Sequence, residues 1–169
     1  MRLEENTHTT GLRDSAILLV EDDEADILLL RRAFRNAHIV NPLIEVRDGQ
    51  AAIQYLSGEG EYADRSRYPI PFLVLLDLRL PKLSGFEVIA WMRDQPQLAH
   101  VIVVVLTASD HVPDVTKARD LGANSYLVKP GDFEELVQMV KRIRGRWLLV
   151  DRLQEGDVVR ESARASQEC

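Results

Sequence analysis

An apolar run that stops at a carboxylate lies near the middle of the sequence. Residues 72–76, FLVLL, contain no polar side chain, a pattern typical of a strand covered on both faces in a parallel sheet. Asp77 follows directly. Pro81, Ser84 and Gly85 then predict a loop before the next helical pattern. In an open sheet with crossover helices, the residue after such a strand lies at the carboxyl edge, where ligands bind. The position of Asp77 therefore predicts a functional role.

Strands and helices alternate along the rest of the chain. Apolar runs predict buried strands at 16–20, 72–76 and 100–109. The alternating pattern of 43–48 predicts a half-exposed edge strand, and 124–130 is predicted to be a short strand. Helical spacing and helix-stop residues predict helices at 25–37, 49–58, 85–95, 113–122 and 132–147. On the first helix, the apolar face is predicted to contain Leu28, Leu30, Ala33, Phe34 and Ala37. The alternation predicts an α/β fold with a doubly wound, five-stranded parallel sheet.

The length of 169 residues suits one domain with a full core. We expect a flexible polar tail over 1–14, a domain with a C-terminal helix extension over 15–150, and a polar tail over 151–169. Residues 58–71 are rich in glycine, proline and charge. They predict a surface loop that is longer than most connections in compact domains.

The composition, 46% hydrophobic and 28% charged, is that of a globular protein. The net charge of -6 argues against direct nucleic-acid binding, because phosphate binding needs a concentrated basic surface. Cys169 is the only cysteine, which excludes an internal disulfide and fits a reducing cytoplasm. No apolar run approaches the roughly 20 residues that span a bilayer. The N-terminus also lacks the apolar core of a signal peptide. We expect a cytoplasmic protein without membrane contact.

Carboxylate, hydroxyl and ammonium side chains follow other predicted strands as well. Glu21 and Asp22 come directly after the first strand, Thr107 lies near the end of the fourth, and Lys129 near the end of the fifth. Because the carboxyl ends of parallel strands share one edge, these four side chains and Asp77 are expected to converge.

Such a set of side chains suits phosphoryl transfer. Clustered carboxylates repel one another unless a cation lies among them, and oxygen ligands without His or Cys favour Mg²⁺. Lys129 would pair with a phosphate oxygen, and the Thr107 hydroxyl would donate to another. Asp77 would supply the attacking oxygen. The sequence therefore predicts a phosphotransfer site in which Asp77 accepts the phosphoryl group.

Each of these residues has a plainer interpretation when it is taken alone. Asp23 and Glu24 are best interpreted as solvated acids at a helix start, where negative charge is favourable. A lone Thr107 would be an ordinary β-branched strand residue, and a lone lysine before proline an ordinary turn residue. The phosphotransfer interpretation depends on the joint pattern and on its order along the chain.

Four blocks carry a family resemblance: LLVEDDEAD, LLDLRLPKLSGFE, VVVLTAS and NSYLVKP. In this order and spacing they resemble the receiver domain of two-component response regulators, over roughly residues 15–146. The resemblance implies a flavodoxin-like, three-layer α/β/α fold. It also implies a phosphoacceptor signalling protein rather than an enzyme, with a sensor histidine kinase as the phosphoryl donor and Mg²⁺ as the cofactor.

The resemblance assigns roles to individual positions. Asp77 matches the aspartate that a kinase phosphohistidine phosphorylates. For the metal, Asp22 matches the carboxylate that binds Mg²⁺ directly, and Glu21 matches its neighbour, which usually acts through water. Arg79 matches the position whose backbone carbonyl completes the metal site.

Further roles concern the switch that follows phosphorylation. Thr107 and Lys129 match the switch hydroxyl and the phosphate-pairing lysine, and Tyr126 matches the aromatic switch position. The Lys129–Pro130 bond resembles a cis peptide of the family. A plainer interpretation of Tyr126, as an aromatic residue half-buried beside a strand, stays open.

The loop at 58–71 and the segment RWLLV look similar to the small regulators that accompany bacterial and cyanobacterial phytochrome kinases. Those regulators often form homodimers through the last helix and its extension, so Trp147, Leu148 and Leu149 are candidate dimer contacts. The alternative is that these side chains fold back on their own domain. After Val150 too few residues follow for a DNA-binding domain, so we expect the signal to leave through a downstream protein partner.

Two rival functions fit parts of the pattern. A Mg²⁺-dependent phosphatase of the haloacid-dehalogenase type also uses a strand-end aspartate, but such enzymes have a second aspartate two positions later, where this chain has Arg79. A degenerate receiver used as a binding scaffold is the other rival, and the presence of all the phosphorylation residues argues against it. None of the histidines lies in a recognisable phosphodonor block, so the donor is expected on a partner.

Overall fold

The computed structural model describes residues 15–148, and both predicted tails lie outside the described residues. Within that range the strands form one parallel sheet in the order β2-β1-β3-β4-β5. The strands are β1 Ile17–Val20, β2 Leu43–Val46, β3 Leu73–Leu76, β4 Ile102–Thr107 and β5 Ser125–Val128. The α-helices are α1 Glu24–Asn36, α2 Gly49–Ser57, α3 Gly85–Arg93, α4 Val112–Asp120 and α5 Phe133–Ile143. The predicted doubly wound parallel sheet is confirmed.

The sheet lies between two apolar layers, because successive strand residues point to opposite faces. In β1, Leu18 and Val20 join the core formed with α2 and α3. Ile17 and Leu19 join the core formed with α1 and α5. All four of these side chains are at most 2% exposed, so β1 is covered on both faces. This is the three-layer α/β/α arrangement.

Side chains next to the helices fix where several of them begin. Asp23, Asp48 and Asp132 each accept a hydrogen bond from a backbone N–H in the first turn of α1, α2 and α5, respectively. Before α3, Ser84 and Glu87 form a reciprocal capping box. The loop after Asp77 is therefore followed by a helix start that its own sequence specifies.

The segment 58–71 is anchored to the end of α2. Tyr55 is fully buried, and its ring contacts those of Tyr62 and Tyr68 at centroid distances of 5.1 and 6.1 Å. Arg65 donates hydrogen bonds to the carbonyl oxygens of Tyr55, Leu56 and Tyr68. This loop is consequently packed against the domain.

Three details differ from the sequence predictions. Leu28 was placed on the apolar face of the first helix, but it is 52% exposed, and Ile27 occupies the buried position. The strand predicted over 124–130 ends at Val128, so Lys129 lies just beyond it. The Lys129–Pro130 peptide is trans, since no described peptide bond is cis; the family-based expectation is corrected, and trans is the ordinary preference even before proline.

Past α5, residues Arg144–Leu148 continue as a π-helical turn. Trp147 and Leu148 are half-buried and pack against the α1 and α5 side of the core. Leu149, the third candidate dimer contact, lies outside the described residues. Within the described range no helix has the length and apolar character needed to cross a membrane.

Candidate functional site

The site lies where the order of the strands reverses. The chain passes from β1 outward to β2 and then returns to the other side of β1 as β3, and such a switch point is where open α/β sheets bind ligands. The register pairs Val20 with Leu76, and the Asp77 N–H donates to the Val20 carbonyl at 3.0 Å. Parallel pairing therefore places Glu21 and Asp77 side by side at the carboxyl edge.

Three of the predicted carboxylates converge. Glu21, Asp22 and Asp77 can each offer one oxygen such that the three oxygens lie within 4.8 Å of one another. Glu21 and Asp77 are buried, whereas Asp22 is exposed. Clustered oxygen ligands of this kind, open to solvent on one side, fit a hard divalent cation that keeps part of its water shell.

Lys129 reaches this cluster from beyond β5. Its ammonium Nζ donates to Glu21, to Asp26 Oδ2 at 2.9 Å and to Asp77 Oδ2 at 3.2 Å. An ammonium group has three N–H donors, so each donor points to a different carboxylate. The lysine therefore lies within hydrogen-bonding distance of the predicted phosphoacceptor before any phosphoryl group is present.

Asp26 is the site residue that the sequence analysis missed. It belongs to the first turn of α1, close to Asp23 and Glu24, the two acids for which the sequence favours a solvated role. Asp22 precedes Asp23, the N-cap of α1, so the spacing between Asp22 and Asp26 does not predict that the two side chains share a helix face. Nothing in the sequence indicated that Lys129 would extend from β5 to α1.

Burial and excess negative charge shape the protonation of the site. Burial raises the pKa of Glu21 to about 7, although the hydrogen bond and charge of Lys129 oppose that rise. Burial alone would lower the pKa of Lys129, but hydrogen bonds to Asp26 and Glu21 raise it above its ordinary value. The rise at Glu21 thus comes from burial, and the rise at Lys129 comes from the three carboxylates that its ammonium contacts.

Thr107 and Tyr126 lie next to this cluster. Thr107 is the last residue of β4 and is 1% exposed. Its carbonyl accepts a hydrogen bond from the backbone N–H of Lys129 at 2.7 Å. Tyr126 is half-buried, and its hydroxyl donates to the Ser109 carbonyl at 2.8 Å. Ser109 Oγ in turn lies 2.8 Å from Asp114 Oδ2. Tyr126 is thus hydrogen-bonded to the loop that follows β4, and Thr107 is the last strand residue before that loop.

Arg79 lies in the loop after Asp77, with an exposed side chain. Its backbone N–H donates to Asp77 Oδ1 at 3.3 Å, which helps to orient the carboxylate. The predicted role of its carbonyl in a metal site stays a prediction. The loop closes back on itself through a hydrogen bond from the Gly85 N–H to the Leu78 carbonyl, at 2.9 Å.

Known proteins with similar sequences are signalling regulators. Residues 17–141 match the response regulator receiver domain family. The chain is 42% identical over 132 residues to response regulator Rcp1 of Synechocystis sp., which covers 78% of this chain and 88% of that protein. The range that matches the family, 17–141, spans every residue of the cluster described above.

Solved structures give the same result. The phosphorylated cyanobacterial phytochrome response regulator RcpA is 43% identical, with a TM-score of 0.73 over 80% of this chain and 94% of that chain. The Mn²⁺-bound form of response regulator Rcp1 is 41% identical, with a TM-score of 0.73 over 80% and 96%.

Proposed function

This chain belongs to the response regulator receiver family, and on that premise we propose that it signals by accepting a phosphoryl group on Asp77. The observation that carries the proposal is the convergence of Asp77 with Glu21, Asp22 and Lys129 at one edge of the sheet. A nucleophilic carboxylate, a set of metal-binding oxygens and a phosphate-pairing ammonium are the parts that this transfer requires.

The proposed donor is a phosphohistidine of a sensor kinase. An Asp77 carboxylate oxygen forms a bond to phosphorus while the P–N bond of the donor breaks, and the electron pair of that bond stays on the imidazole nitrogen. Lys129 is held 3.2 Å from Asp77 and can pair with the added charge. Thr107, buried at the end of β4, would donate its hydroxyl to a phosphoryl oxygen.

The proposed cofactor is Mg²⁺. The carboxylates of Glu21, Asp22 and Asp77 would hold it, together with the Arg79 backbone carbonyl. When bound, the ion would supply positive charge next to the phosphoryl oxygens. The donor set supports this choice because it consists of oxygens alone, and a relative has been solved with Mn²⁺ bound.

The proposed partners follow from the relatives. RcpA is described as a phytochrome response regulator, which supports a phytochrome-type histidine kinase as the donor. The output would be a protein contact made after Thr107 and Tyr126 rearrange, a local charge change that biases a two-state element. A cytoplasmic location fits a chain whose only cysteine is Cys169. The proposed chemistry is limited to transfer onto Asp77 and later hydrolysis.

Intact-protein mass spectrometry with acetyl phosphate tests the proposal. Wild type should gain one phosphoryl group when Mg²⁺ is present and none when it is chelated. Asp77→Asn should gain none under either condition. Asp94→Asn, an exposed change at the C-terminal end of α3, is the matched control and should behave as wild type. A wild type that gains no mass, or an Asp77→Asn variant that still does, would refute the assignment.

A further inference from the structure

Each N–H donor of the Lys129 ammonium already has a carboxylate partner. Its three N–H groups point to Glu21, Asp26 and Asp77. A phosphoryl group on Asp77 adds oxygen acceptors and negative charge, and the Lys129 ammonium is expected to donate hydrogen bonds to those oxygens. Because an ammonium has three donors, Lys129 has to withdraw at least one from a carboxylate before it can pair fully with the phosphoryl group.

The three carboxylates differ in how easily they release the lysine. Glu21 is 1% exposed, and its second oxygen already accepts the Asp23 N–H at 3.1 Å. Loss of Lys129 would leave that buried charge without its cation, which is costly. Asp26 has a side chain that is 38% exposed, so water can replace the lysine there. The Lys129–Asp26 contact is therefore the one that opens at the lowest cost.

We propose that Asp26 is a positioning residue that holds the Lys129 ammonium toward α1 in the unphosphorylated protein and thereby slows phosphorylation of Asp77. This inference rests on the proposed function. Asp26 does not touch the reacting atoms and acts through Lys129. Its carboxylate competes with the incoming phosphoryl group for the same N–H donors, so removal of its charge frees the lysine to meet the phosphoryl oxygens.

The test compares two substitutions in the same turn of α1. Asp26→Asn keeps the size of the side chain and removes its charge. Glu24→Gln also removes one first-turn acid from α1, and Glu24 pairs with Arg47 rather than with Lys129. Both variants change net charge and the helix-start electrostatics equally. A difference between them therefore reports the contact with Lys129.

Two measurements decide the matter. The first is the rate of mass gain from acetyl phosphate at saturating Mg²⁺, which should rise about three- to tenfold in Asp26→Asn, the effect of about 1 kcal/mol of lost competition. It should stay within about twofold of wild type in Glu24→Gln. An unchanged or slower rate in Asp26→Asn, or an equal acceleration in both variants, overturns the proposal.

The second measurement needs neither metal nor phosphoryl group. The ¹⁵N resonance of the Lys129 ammonium, assigned by its loss in Lys129→Gln, should move in Asp26→Asn and stay in place in Glu24→Gln. A resonance that Asp26→Asn leaves unchanged overturns the inferred contact. If neither wild type nor any variant gains mass while the resonance moves as expected, the proposed function is refuted but the contact between Asp26 and Lys129 is confirmed. The two failures are thus distinguishable.

Discussion

At the scale of single residues, Gly85 decides how closely the loop after Asp77 can close. A Cβ atom at this position would lie 2.3 Å from the Asp77 carbonyl oxygen and 2.8 Å from the Leu78 Cα. Backbone atoms of a buried strand end cannot move aside cheaply. The glycine therefore allows the start of α3 to pack directly on the residue that carries the proposed chemistry.

We predict that Gly85→Ala destabilises the domain by about 1–3 kcal/mol, the usual cost of overpacking. Alanine is a better helix former than glycine by about 1 kcal/mol, and the clash should outweigh that gain. The free energy of unfolding in urea measures the effect, and phosphorylation of Asp77 should also slow. Gly131→Ala is the control, because no atom lies within 4 Å of its added Cβ. Equal midpoints for the two variants would contradict the prediction.

The sequence was sufficient for the positions of the site residues that come at strand ends. Glu21, Asp77 and Thr107 lie at the carboxyl edge because a parallel sheet places all its strand ends there. Asp26 was not predictable in the same way. Its contact with Lys129 joins a helix turn to a residue 103 positions later, and single-sequence periodicity carries no information about such a distance.

At the scale of elements, periodicity predicted the five strands and the five α-helices of the described residues. It assigned Leu28 to the buried face of α1, where the structure leaves this side chain exposed. The buried side of α1 consists of Ile27, Leu30, Ala33 and Phe34. Leu28 differs from Ile27 by about 100° around the helix axis, and two adjacent leucines, Leu28 and Leu29, are exposed instead. When apolar residues occupy most of a turn, their spacing does not determine which of them faces the sheet.

The loop at 58–71 shows what composition cannot predict about a connecting segment. Its glycines and charges indicated a surface loop, but Arg65 binds three carbonyl oxygens, two of them from the last turn of α2. Gly58, at the C-cap of α2, has a φ of 71°, and the Arg65 guanidinium lies against it. One charged side chain thus adds hydrogen bonds to carbonyl groups at the end of α2, of which the Tyr55 carbonyl also accepts the Gly58 N–H.

We predict that Arg65→Met loosens this loop without affecting the phosphorylation site. Loss of hydrogen bonds from a charged donor should reduce local stability by about 1–3 kcal/mol, and hydrogen exchange of amides in 58–71 should speed up accordingly. Arg67→Met is the control, because Arg67 is exposed and stacks on the Tyr68 ring at 5.4 Å. The rate of Asp77 phosphorylation should match wild type in both variants, since α2 ends at the edge of the sheet opposite Asp77. Unchanged exchange in Arg65→Met would rule out the anchoring role.

At the scale of the whole molecule, the remaining question is what the surface at the end of α5 contacts. Trp147 and Leu148 pack against the core of their own domain, with Arg146 stacked on the Trp147 ring at 4.8 Å. This packing is the alternative to dimerisation that the sequence left open. Both side chains are half-buried, so each retains surface that a second copy of the chain can cover.

The homodimer therefore stays a prediction, and its test has to separate association from folding. Light scattering should give twice the chain mass of 19.2 kDa for wild type and a smaller mass for Trp147→Ala. Val40→Ala, which changes an apolar side chain that is 72% exposed next to α1, should leave the dimer intact. Urea unfolding of each variant shows whether Trp147→Ala also destabilises the domain, because loss of intramolecular packing lowers the unfolding free energy even in a monomer. A wild type with the mass of one chain would mean that Trp147 packs only within its own domain. The output contact would then be made with a different protein rather than with a second copy of this chain.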